Sequence, residues 1–298
     1  MDVLLLGGTG FIGVGLAREL DDRGHDVTAL SREPGDDVPD GVETVAGDVT
    51  EYDSIEGAVE GRDAVVNLVS LSPLYDVPAE RHDQVHRGGT QHAVDAAVEH
   101  DVDRFLQLSA LDADSDGPTA YLRAKGAAER IVEDASVPAV IVRPSVVFGD
   151  GSEFVSFTKS TKRLFAPGLP IAPLPGGGST RFQPIYREEF VAMIADAIED
   201  DEHLGETYEL GGPEVLTLAE VTRLVYRAEG KTMRVVPIPM PVAKLGITVM
   251  GAVPGFPFGR DQYRSLKLDN TLEHNDVEAF GVDPGEMTTF SEYLGLTP

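Results

Sequence analysis

The chain has 298 residues, of which 51 are acidic and 24 are basic, so its net charge near neutral pH is −27. A surface this negative repels phosphate groups, which disfavours nucleic acids and anionic membranes as partners. The chain has no cysteine, which excludes disulfides and thiol catalysis. Because strong salt screens the repulsion between carboxylates, we interpret the composition as that of a salt-adapted, halophilic protein of the cytoplasm.

Short apolar segments alternate with helix-patterned segments through the first half of the chain. Strands are predicted at Val3–Leu6, Asp26–Leu30, Val42–Val45, Ala64–Val69, Arg104–Leu108 and Val140–Val142. Helices are predicted at Phe11–Asp22, Ser54–Val59, Arg81–His100 and Tyr121–Asp134. This alternation favours an α/β protein with a Rossmann-type, doubly wound parallel sheet that helices cover on both faces.

The alternation breaks after Gly149-Asp150-Gly151, and the remaining chain predicts a smaller C-terminal lobe. Residues 165–180 are rich in proline and glycine and predict a mobile loop. Further helices are predicted at Phe190–Ile198 and Leu218–Glu229, and an extended segment at Arg234–Ile238. We expect a nucleotide-binding core at residues 1–150, completed by about 182–211, and a substrate or partner lobe at 151–181 and 212–298.

Three glycines at the spacing GxxGxxG, Gly7, Gly10 and Gly13, lie between the first predicted strand and the first predicted helix. A tight turn from a strand into a helix N-terminus is a site for a dinucleotide pyrophosphate. Gly7 permits the turn, Gly10 lets the backbone approach the phosphates, and Gly13 lets the helix pack closely on the sheet. We expect Phe11 and Ile12, in the first helical turn, to contact the nucleotide as well.

The end of the second predicted strand indicates which nucleotide binds. NAD sites usually place an acidic residue about 20 residues past the glycines, where it binds the ribose hydroxyls. Here Ser31 and Arg32 occupy that place. An arginine beside a hydroxyl binds the extra phosphate of NADP, which a carboxylate would repel, so the sequence predicts NADP(H) in preference to NAD(H). Asp48 and Val49 are candidates for the adenine end, although Asp48 fits a turn-forming role equally well.

Tyr121 and Lys125 are four residues apart on a predicted helix and therefore share one face. A lysine ammonium near a phenol lowers the pKa of the tyrosine, which makes it a general acid toward a carbonyl that receives hydride. The lysine can also hold a ribose hydroxyl. Ser109, at the end of the fifth predicted strand, is the candidate that helps to hold the carbonyl. If the chain is an enzyme, we expect these three residues to be catalytic.

Several motifs together resemble the extended or atypical branch of the short-chain dehydrogenase/reductase superfamily, which includes the epimerase/dehydratase-like proteins. They are the glycine motif, the Tyr121/Lys125 pair, and the run Val142-Arg143-Pro144-Ser145-Val146-Val147-Phe148-Gly149, which adds Pro144 to the expected nucleotide contacts. Within that branch the chain is similar to the nucleotide-binding accessory subunit of respiratory complex I and its prokaryotic relatives. The stretches that carry this similarity are Leu108 to Leu111 with the Tyr121/Lys125 helix, Arg181 to Tyr186, and Gly259 to Leu266.

The chain departs from that branch in the residues that would surround a substrate carbonyl. Extended members usually have a Ser or Thr one or two places past Ser109, where this chain has Ala110 and Leu111. Thr119 is the candidate that could replace the missing hydroxyl. His86 stands where extended members usually have Asn. An incomplete set of hydroxyls weakens the prediction of an epimerase or dehydratase.

A second departure concerns nucleotide sugars. Extended members tend to bind a sugar diphosphate with an arginine near the position of Phe182, and here Arg181 is adjacent.

Asp112, Asp114 and Asp116 precede the Tyr121 helix and could be considered for metal binding. In a chain with 51 acidic residues we interpret them as a solvated loop and expect no metal site.

The segment from Pro241 to Phe258 is apolar apart from Lys244 and Thr248, and Pro254 and Pro257 would end any helix. We favour core packing under the C-terminal lobe. The alternative is an exposed apolar surface that meets a partner, a lipid face or a long apolar substrate.

Two functional classes remain. In the first, which the resemblance favours slightly, the chain is an auxiliary or regulatory nucleotide-binding protein and contacts the membrane only peripherally, through a membrane-associated respiratory complex. In the second it is an NADPH-dependent oxidoreductase that acts on an apolar, quinone- or isoprenoid-like carbonyl.

Overall fold

The computed structural model describes residues 1–35, 37–250 and 258–296. The chain divides into two compact units. Unit 1 consists of residues 1–71, 77–144 and 187–209, and unit 2 of residues 72–76, 145–186 and 210–298. Within the described ranges, no helix combines the length and the apolar character needed to cross a membrane.

The strands, in chain order, are β1 (Asp2–Leu6), β2 (Asp26–Ser31), β3 (Glu43–Ala46), β4 (Ala64–Asn67), β5 (Arg104–Leu108), β6 (Ala139–Pro144), β7 (Val147–Phe148), β8 (Ile171–Pro175), β9 (Arg181–Phe182), β10 (Ile185–Tyr186), β11 (Thr207–Leu210), β12 (Leu216–Thr217) and β13 (Arg234–Ile238).

The α-helices, in chain order, are α1 (Phe11–Asp22), α2 (Tyr52–Val59), α3 (Ala79–His82), α4 (Gly89–Glu99), α5 (Ala120–Glu133), α6 (Glu153–Phe165), α7 (Arg187–Glu199), α8 (Leu218–Ala228), α9 (Met240–Met250), α10 (Arg260–Ser265) and α11 (Phe290–Tyr293). A π-helical turn, Asp83–Gly88, joins α3 to α4, and short 3₁₀ turns lie at Asp201–His203, Asp276–Phe280 and Pro284–Glu286.

Unit 1 is built on a seven-stranded sheet with the order β11-β6-β5-β4-β1-β2-β3. Its strands run parallel, with Leu6 of β1 opposite Leu30 of β2 and Asn67 of β4. The strand order reverses at β1, so the crevice at the carboxyl ends of β1 and β4 is where sheets of this topology bind ligands. The predicted fold class, a Rossmann-type parallel sheet with flanking helices, is confirmed.

The sheet is covered on both faces because its central strands are apolar at nearly every position. The side chains from Val3 to Leu6 are fully buried. Leu4 and Leu6 pack with buried residues of α2, α4 and α5. Val3 and Leu5 point to the opposite face by the alternation of a strand. Helix α1 packs against α7, and the structure bears out the expected helix at Phe190–Ile198.

Unit 2 contains three two-stranded pairs, β7 with β10, β9 with β12 and β8 with β13, among the residues that the structure describes. A cluster of buried side chains in unit 2 centres on Phe148, Phe154 and Phe290, with Val221 and Val225 of α8. The expected helix Leu218–Glu229 and extended segment Arg234–Ile238 are confirmed. The predicted domain boundaries stay a prediction.

The prediction of a mobile loop at residues 165–180 is wrong. Strand β8 lies inside it and pairs in parallel register with β13, with Ala172 and Leu174 buried on one side. Pro173 and Pro175 occupy the alternate positions. Proline is tolerated there because an edge strand does not need every N–H for pairing. The proline content therefore concealed an alternating strand.

The predicted helix Arg81–His100 is present as a continuous helical segment from Ala79 to Glu99, in which Asp83–Gly88 form a π-helical turn with more residues per turn than an α-helix. One further prediction needs correction. The interpretation of Pro241 to Phe258 as core packing is wrong for α9, where Leu245 is 66% exposed. The prolines predicted to end a helix, at 254 and 257, lie outside the described residues.

Candidate nucleotide site

The turn after β1 has the geometry that the three glycines predicted. Gly7 has a φ of +84°, a conformation that favours glycine, and its N–H donates to the Leu30 carbonyl oxygen at 2.8 Å. A Cβ atom on Gly13 would collide with the carbonyl oxygens of Gly7 and Gly8. A Cβ on Gly10 would meet one neighbour within 4 Å, the Gly7 oxygen at 3.2 Å. The backbone therefore excludes a side chain at Gly13 and is less crowded at Gly10.

The first turn of α1 has free backbone donors. Gly10 is the N-cap residue and supplies no side-chain acceptor, and the first turn contains no acidic residue. Phe11 and Ile12 are partly exposed and follow directly. The N–H groups of a first helical turn lack partners within the helix and bear a partial positive charge, so they suit a phosphate. The cradle fits a dinucleotide pyrophosphate.

Arg187 is a residue at this turn that the sequence reasoning missed. Its guanidinium carbon lies 5.0 Å from the centroid of the Phe11 ring, and its Nη1 donates to the Phe11 carbonyl oxygen at 3.4 Å. It also hydrogen-bonds to Glu188. The sequence feature that could have identified Arg187 is an arginine at the first position of a helix in a chain that has few cations.

Ser31 and Arg32 lie at the carboxyl end of β2. The Ser31 hydroxyl is buried and has no hydrogen-bond partner among the described residues. Arg32 is exposed. One oxygen of Asp48 accepts hydrogen bonds from the Thr50 backbone at 2.9 Å and the Thr50 hydroxyl at 2.8 Å. The turn-forming role of Asp48 is therefore present, and it leaves the second carboxylate oxygen for another donor.

Two arginines act on Asp48. Burial alone would raise the pKa of Asp48, but the hydrogen bonds from Thr50 and the charges of Arg32 and Arg81 hold it below its ordinary value. The second cation, Arg81, was missed at the sequence level because it belongs to α3, far along the chain. Val49 is buried and its carbonyl oxygen hydrogen-bonds to the His92 ring at 2.9 Å.

Tyr121 and Lys125 lie one turn apart on α5, as the spacing predicted. The Lys125 side chain is 1% exposed, and its Nζ donates to the Leu108 carbonyl oxygen at 2.8 Å. Burial lowers the pKa of Lys125 to about 8, although the charge of Glu129 opposes this. The lysine is thus anchored at the carboxyl end of β5.

The predicted effect of Lys125 on Tyr121 is not what the structure has. Burial raises the pKa of Tyr121, and a hydrogen bond with the Ser70 side chain offsets this in part. The expectation that the ammonium lowers the pKa of the phenol is therefore wrong. One of the three ammonium donors of Lys125 is directed to a backbone carbonyl, and the phenol is held by a serine that follows β4.

The remaining hydroxyls near β5 and α5 do not complete a proton-transfer site. The Ser109 hydroxyl is buried without a hydrogen-bond partner among the described residues, and Ala110 and Leu111 are buried apolar residues. Thr119 is the N-cap of α5 and its hydroxyl accepts from the Leu122 N–H at 3.2 Å. Accepting this bond leaves the Thr119 O–H as a donor, so its expected role as a substitute hydroxyl stays a prediction. Pro144 is the last residue of β6.

His82, His86 and Tyr121 form a cluster of rings. The ring centroids of the two histidines are 5.3 Å apart. The centroid of the Tyr121 ring lies 5.8 Å from that of His82 and 5.3 Å from that of His86. His86 Nε2 accepts from the Leu71 N–H at 2.9 Å. Burial, together with the charges of Lys125 and His82, lowers the pKa of His86 to about 2. The ring is therefore neutral, and its proton is on Nδ1, which is buried without a partner among the described residues.

Two other groups were considered from the sequence. Arg181 is paired with Asp269 at 2.7 Å, which neutralises the cation considered for a sugar diphosphate. Asp114 accepts from the Asp116 N–H at 2.7 Å and so forms a turn. In the part of the chain that the structure describes, no three His, Asp or Glu side chains are placed to hold a metal ion.

A family model described as NAD(P)H-binding matches residues 7–164, more than half of the chain. The chain belongs to this NAD(P)H-binding family. The match agrees with the nucleotide-binding motifs at the start of the chain.

Several curated relatives are subunits of respiratory NADH dehydrogenases. The Arabidopsis thaliana protein named NADH dehydrogenase [ubiquinone] 1 alpha subcomplex subunit 9, mitochondrial, is 29% identical over 94% of this chain and 73% of its own length. The Neurospora crassa NADH-ubiquinone oxidoreductase 40 kDa subunit is 25% identical over 82% of this chain, which spans 63% of that subunit. The rice (Oryza sativa subsp. indica) divinyl chlorophyllide a 8-vinyl-reductase is 28% identical over 95% of this chain and 73% of its own.

Solved structures confirm the fold. A nucleoside-diphosphate-sugar epimerase from Staphylococcus aureus superimposes with a TM-score of 0.74 over 99% of both chains, at 17% identity. A Thermus thermophilus UDP-glucose 4-epimerase in complex with NAD has a TM-score of 0.67 at 20% identity, over 90% of this chain and 98% of its own.

Proposed function

We propose that this protein binds NADP(H) in an auxiliary or regulatory role, as a relative of NADH dehydrogenase subunits. The proposal combines an open phosphate cradle with two candidate catalytic side chains that are engaged elsewhere. Its partner would be a membrane-associated respiratory complex.

The glycine turn supports nucleotide binding. The amides of Phe11 and Ile12 would face the pyrophosphate, because Gly10 leaves room for its approach and nothing in the first turn of α1 competes for these donors. Arg187 places a guanidinium beside Phe11, with its charge shared with Glu188. When bound, the nicotinamide nucleotide supplies hydride chemistry to the site.

Arg32 and Arg81 support the preference for NADP. Both lie within electrostatic range of Asp48 at the ribose end of the site. The buried Ser31 hydroxyl lacks a partner among the described residues and would complete the set of donors. Guanidinium groups and a hydroxyl are the donors that a ribose phosphate requires.

The engagement of Lys125 and Tyr121 is the observation that carries the auxiliary role. Lys125 donates to the carbonyl that ends β5, while Tyr121 bonds to Ser70 and has a raised pKa. A general acid works best when its pKa is near the operating pH, and this phenol is shifted away from it. Ala110 and Leu111 add no hydroxyl to hold a carbonyl.

The presence of both Tyr121 and Lys125 on one helical face keeps an active oxidoreductase as the second candidate. In that case Tyr121 would transfer the proton, Lys125 would hold the ribose and Ser109 would help to hold an apolar carbonyl. A nucleotide-sugar epimerase is disfavoured, because the Arg181 charge is already paired with Asp269.

The two candidates are separated by assaying NADPH oxidation in molar KCl against quinones, apolar ketones and aldehydes. For an auxiliary protein, Tyr121→Phe should leave NADPH affinity unchanged and no substrate should be turned over. Lys125→Ala should weaken NADPH binding, since the lysine is expected to hold the ribose. For an enzyme, Tyr121→Phe should lower turnover by roughly 10²–10⁴-fold.

Tyr208→Phe is the matched control, because it removes a phenol hydroxyl from β11, the edge strand of the sheet, where it hydrogen-bonds with His203. Turnover of any substrate that depends on Tyr121 would overturn the auxiliary role. Failure of the wild-type protein to bind NADPH or NADH, measured by calorimetry, would overturn the nucleotide site itself.

A further inference from the structure

The charge of the chain is distributed unevenly between its two units. Unit 1 contains 12 basic and 37 acidic residues, whereas unit 2 contains 12 basic and 14 acidic residues. Unit 2 is therefore close to neutral in a chain whose net charge is −27. Such asymmetry within a chain is typical of proteins that bring one part against a charged surface.

Two long stretches of unit 2 contain no acidic residue at all. They are residues 154–186 and 230–260. The first carries Lys159, Lys162, Arg163 and Arg181, and the second carries Lys231, Arg234, Lys244 and Arg260. In a chain with 51 acidic residues among 298, their absence from both stretches requires an explanation.

The fold joins these two stretches. Strand β8 of the first pairs with β13 of the second, from Ile171 opposite Arg234 to Pro175 opposite Ile238. The Phe258 ring of the second lies 5.6 Å from Phe157 and 6.0 Å from Phe165 of the first, centroid to centroid. The described residues of these two stretches, which are far apart in sequence, therefore come together in unit 2.

Large apolar side chains are exposed in the same region. Five of the eight exposed large apolar side chains among the described residues lie in these stretches: Phe165 (46% exposed), Leu169 (53%), Val242 (57%), Leu245 (66%) and Val249 (61%). The last three share one face of α9 by their spacing of three and four residues. We name these five residues, with the partly exposed Lys162 and the exposed Lys244, the acid-free face.

We propose that the acid-free face docks directly on the interface of an anionic lipid bilayer. Its exposed valine, leucine and phenylalanine side chains suit the boundary between headgroups and acyl chains, and its lysines suit anionic headgroups. Helix α9 has 11 residues, which is too short to cross a bilayer, so the helix would lie in the interface. Because neither stretch contains a carboxylate, neither would place a negative charge against the anionic headgroups.

The net charge of the whole chain does not prevent this contact. At about 1 M salt the Debye length is only about 3 Å, so the carboxylates of unit 1 act weakly on a lipid that they do not touch. A symmetric dimer through the same face is disfavoured, because it would place like charges opposite each other. The docking does not depend on nucleotide binding.

The test is flotation of the purified full-length protein with phosphatidylglycerol vesicles in about 1 M KCl, a salt concentration that screens non-specific charge effects. We expect the wild-type protein to float with the vesicles. Leu245→Glu with Val249→Glu should reduce the bound fraction by at least roughly tenfold, because two inserted side chains are lost and two carboxylates face the headgroups. Both positions are exposed, so folding should be preserved.

The matched control is Val98→Glu with Val215→Glu, which makes the same change at exposed valines outside the face. It should float like the wild-type protein. If Leu245→Glu with Val249→Glu impairs folding, as judged by circular dichroism, Leu245→Ser with Val249→Ser replaces it.

Absence of wild-type flotation, or equal loss in both pairs of variants, would overturn the proposal. If the protein binds phosphatidylcholine and phosphatidylglycerol vesicles equally at lower salt, the proposed preference for anionic lipid is wrong. If the wild-type protein does not float but self-associates, and the Leu245/Val249 variant does not self-associate, the face binds a second copy of the chain instead.

Discussion

The side chain at position 32 distinguishes the two nicotinamide nucleotides in our proposal. Arg32 is exposed beside the buried Ser31 hydroxyl, and its charge already reaches Asp48. An arginine forms charge-assisted hydrogen bonds with the extra phosphate, which only NADPH carries. The residue should therefore affect NADPH and leave NADH unaffected.

We expect NADPH to bind at least about tenfold more tightly than NADH, a difference of about 1.4 kcal/mol. Arg32→Ala should remove this preference by weakening NADPH alone. Calorimetric titration of both nucleotides in molar KCl is the measurement. Arg18→Ala, at an exposed arginine on α1, is the control. Equal affinities in the wild-type protein would show that the assignment of NADP is wrong.

His86 should make stability depend on pH. The folded protein keeps the ring neutral, with a pKa of about 2, whereas the unfolded chain has the ordinary value of 6.5. Below that value the unfolded state binds a proton that the folded state does not, so acid favours unfolding. The wild-type protein should lose about 1.4 kcal/mol of unfolding free energy per pH unit from this group.

His86→Gln removes the titration and retains an acceptor for the Leu71 N–H. We expect the free energies of urea unfolding of the two proteins to converge as the pH falls from about 7 to about 5. His274→Gln, the same change at an exposed histidine, controls for the substitution itself. A difference that is constant with pH would show that His86 is not held neutral.

Individual residues were predictable where one position determines one interaction. Gly7 and Gly13 followed from their spacing, because the turn admits few alternatives. The partners of Tyr121 and Lys125 did not follow, because Ser70 and Leu108 reach α5 only through the pairing of β4 with β5. Sequence spacing identifies residues that share a face, but it cannot show which groups face them.

At the scale of elements, the turn between β1 and α1 separates nucleotide binding from folding. Gly10 has a φ of −77°, which any residue adopts, and a Cβ there would meet only the Gly7 oxygen, at 3.2 Å. Gly13 has carbonyl oxygens where its side chain would be. The same substitution at the two positions should therefore affect different properties.

Gly10→Val should abolish measurable NADPH binding with a modest fall in melting temperature, because its side chain occupies the phosphate approach. Gly13→Val should destabilise the fold by about 1–3 kcal/mol or more, since overpacking forces the helix from the sheet. Gly57→Ala in α2 has no neighbour within 4 Å and serves as the control. Calorimetry and thermal unfolding separate the effects, and normal NADPH binding by Gly10→Val would refute the phosphate site.

Elements were predicted well where burial was continuous or the pattern was regular. Strand β5 and helix α1 have the predicted bounds, since apolar runs and a 3.6-residue period specify them directly. Strand β8 was missed because its prolines resemble a loop. The π-helical turn was missed because no residue pattern distinguishes it from an α-helix.

At the scale of the whole molecule, composition predicted less than it suggested. The net charge of −27 describes unit 1, which carries most of the acidic residues, and conceals a nearly neutral unit 2. The fold class could be predicted because strand–helix alternation is local. The acid-free face could not, because it forms only when β8 pairs with β13 and brings two distant stretches together.

The glycine turn belongs to unit 1, and so lies on the most negative part of the chain. A nicotinamide dinucleotide is itself an anion and is repelled as it diffuses toward this unit. Added salt weakens that repulsion, so the rate of nucleotide capture should rise with ionic strength. In most phosphate-binding proteins salt slows association, because it screens attraction instead. For this protein, strong salt would instead speed the association of the nucleotide.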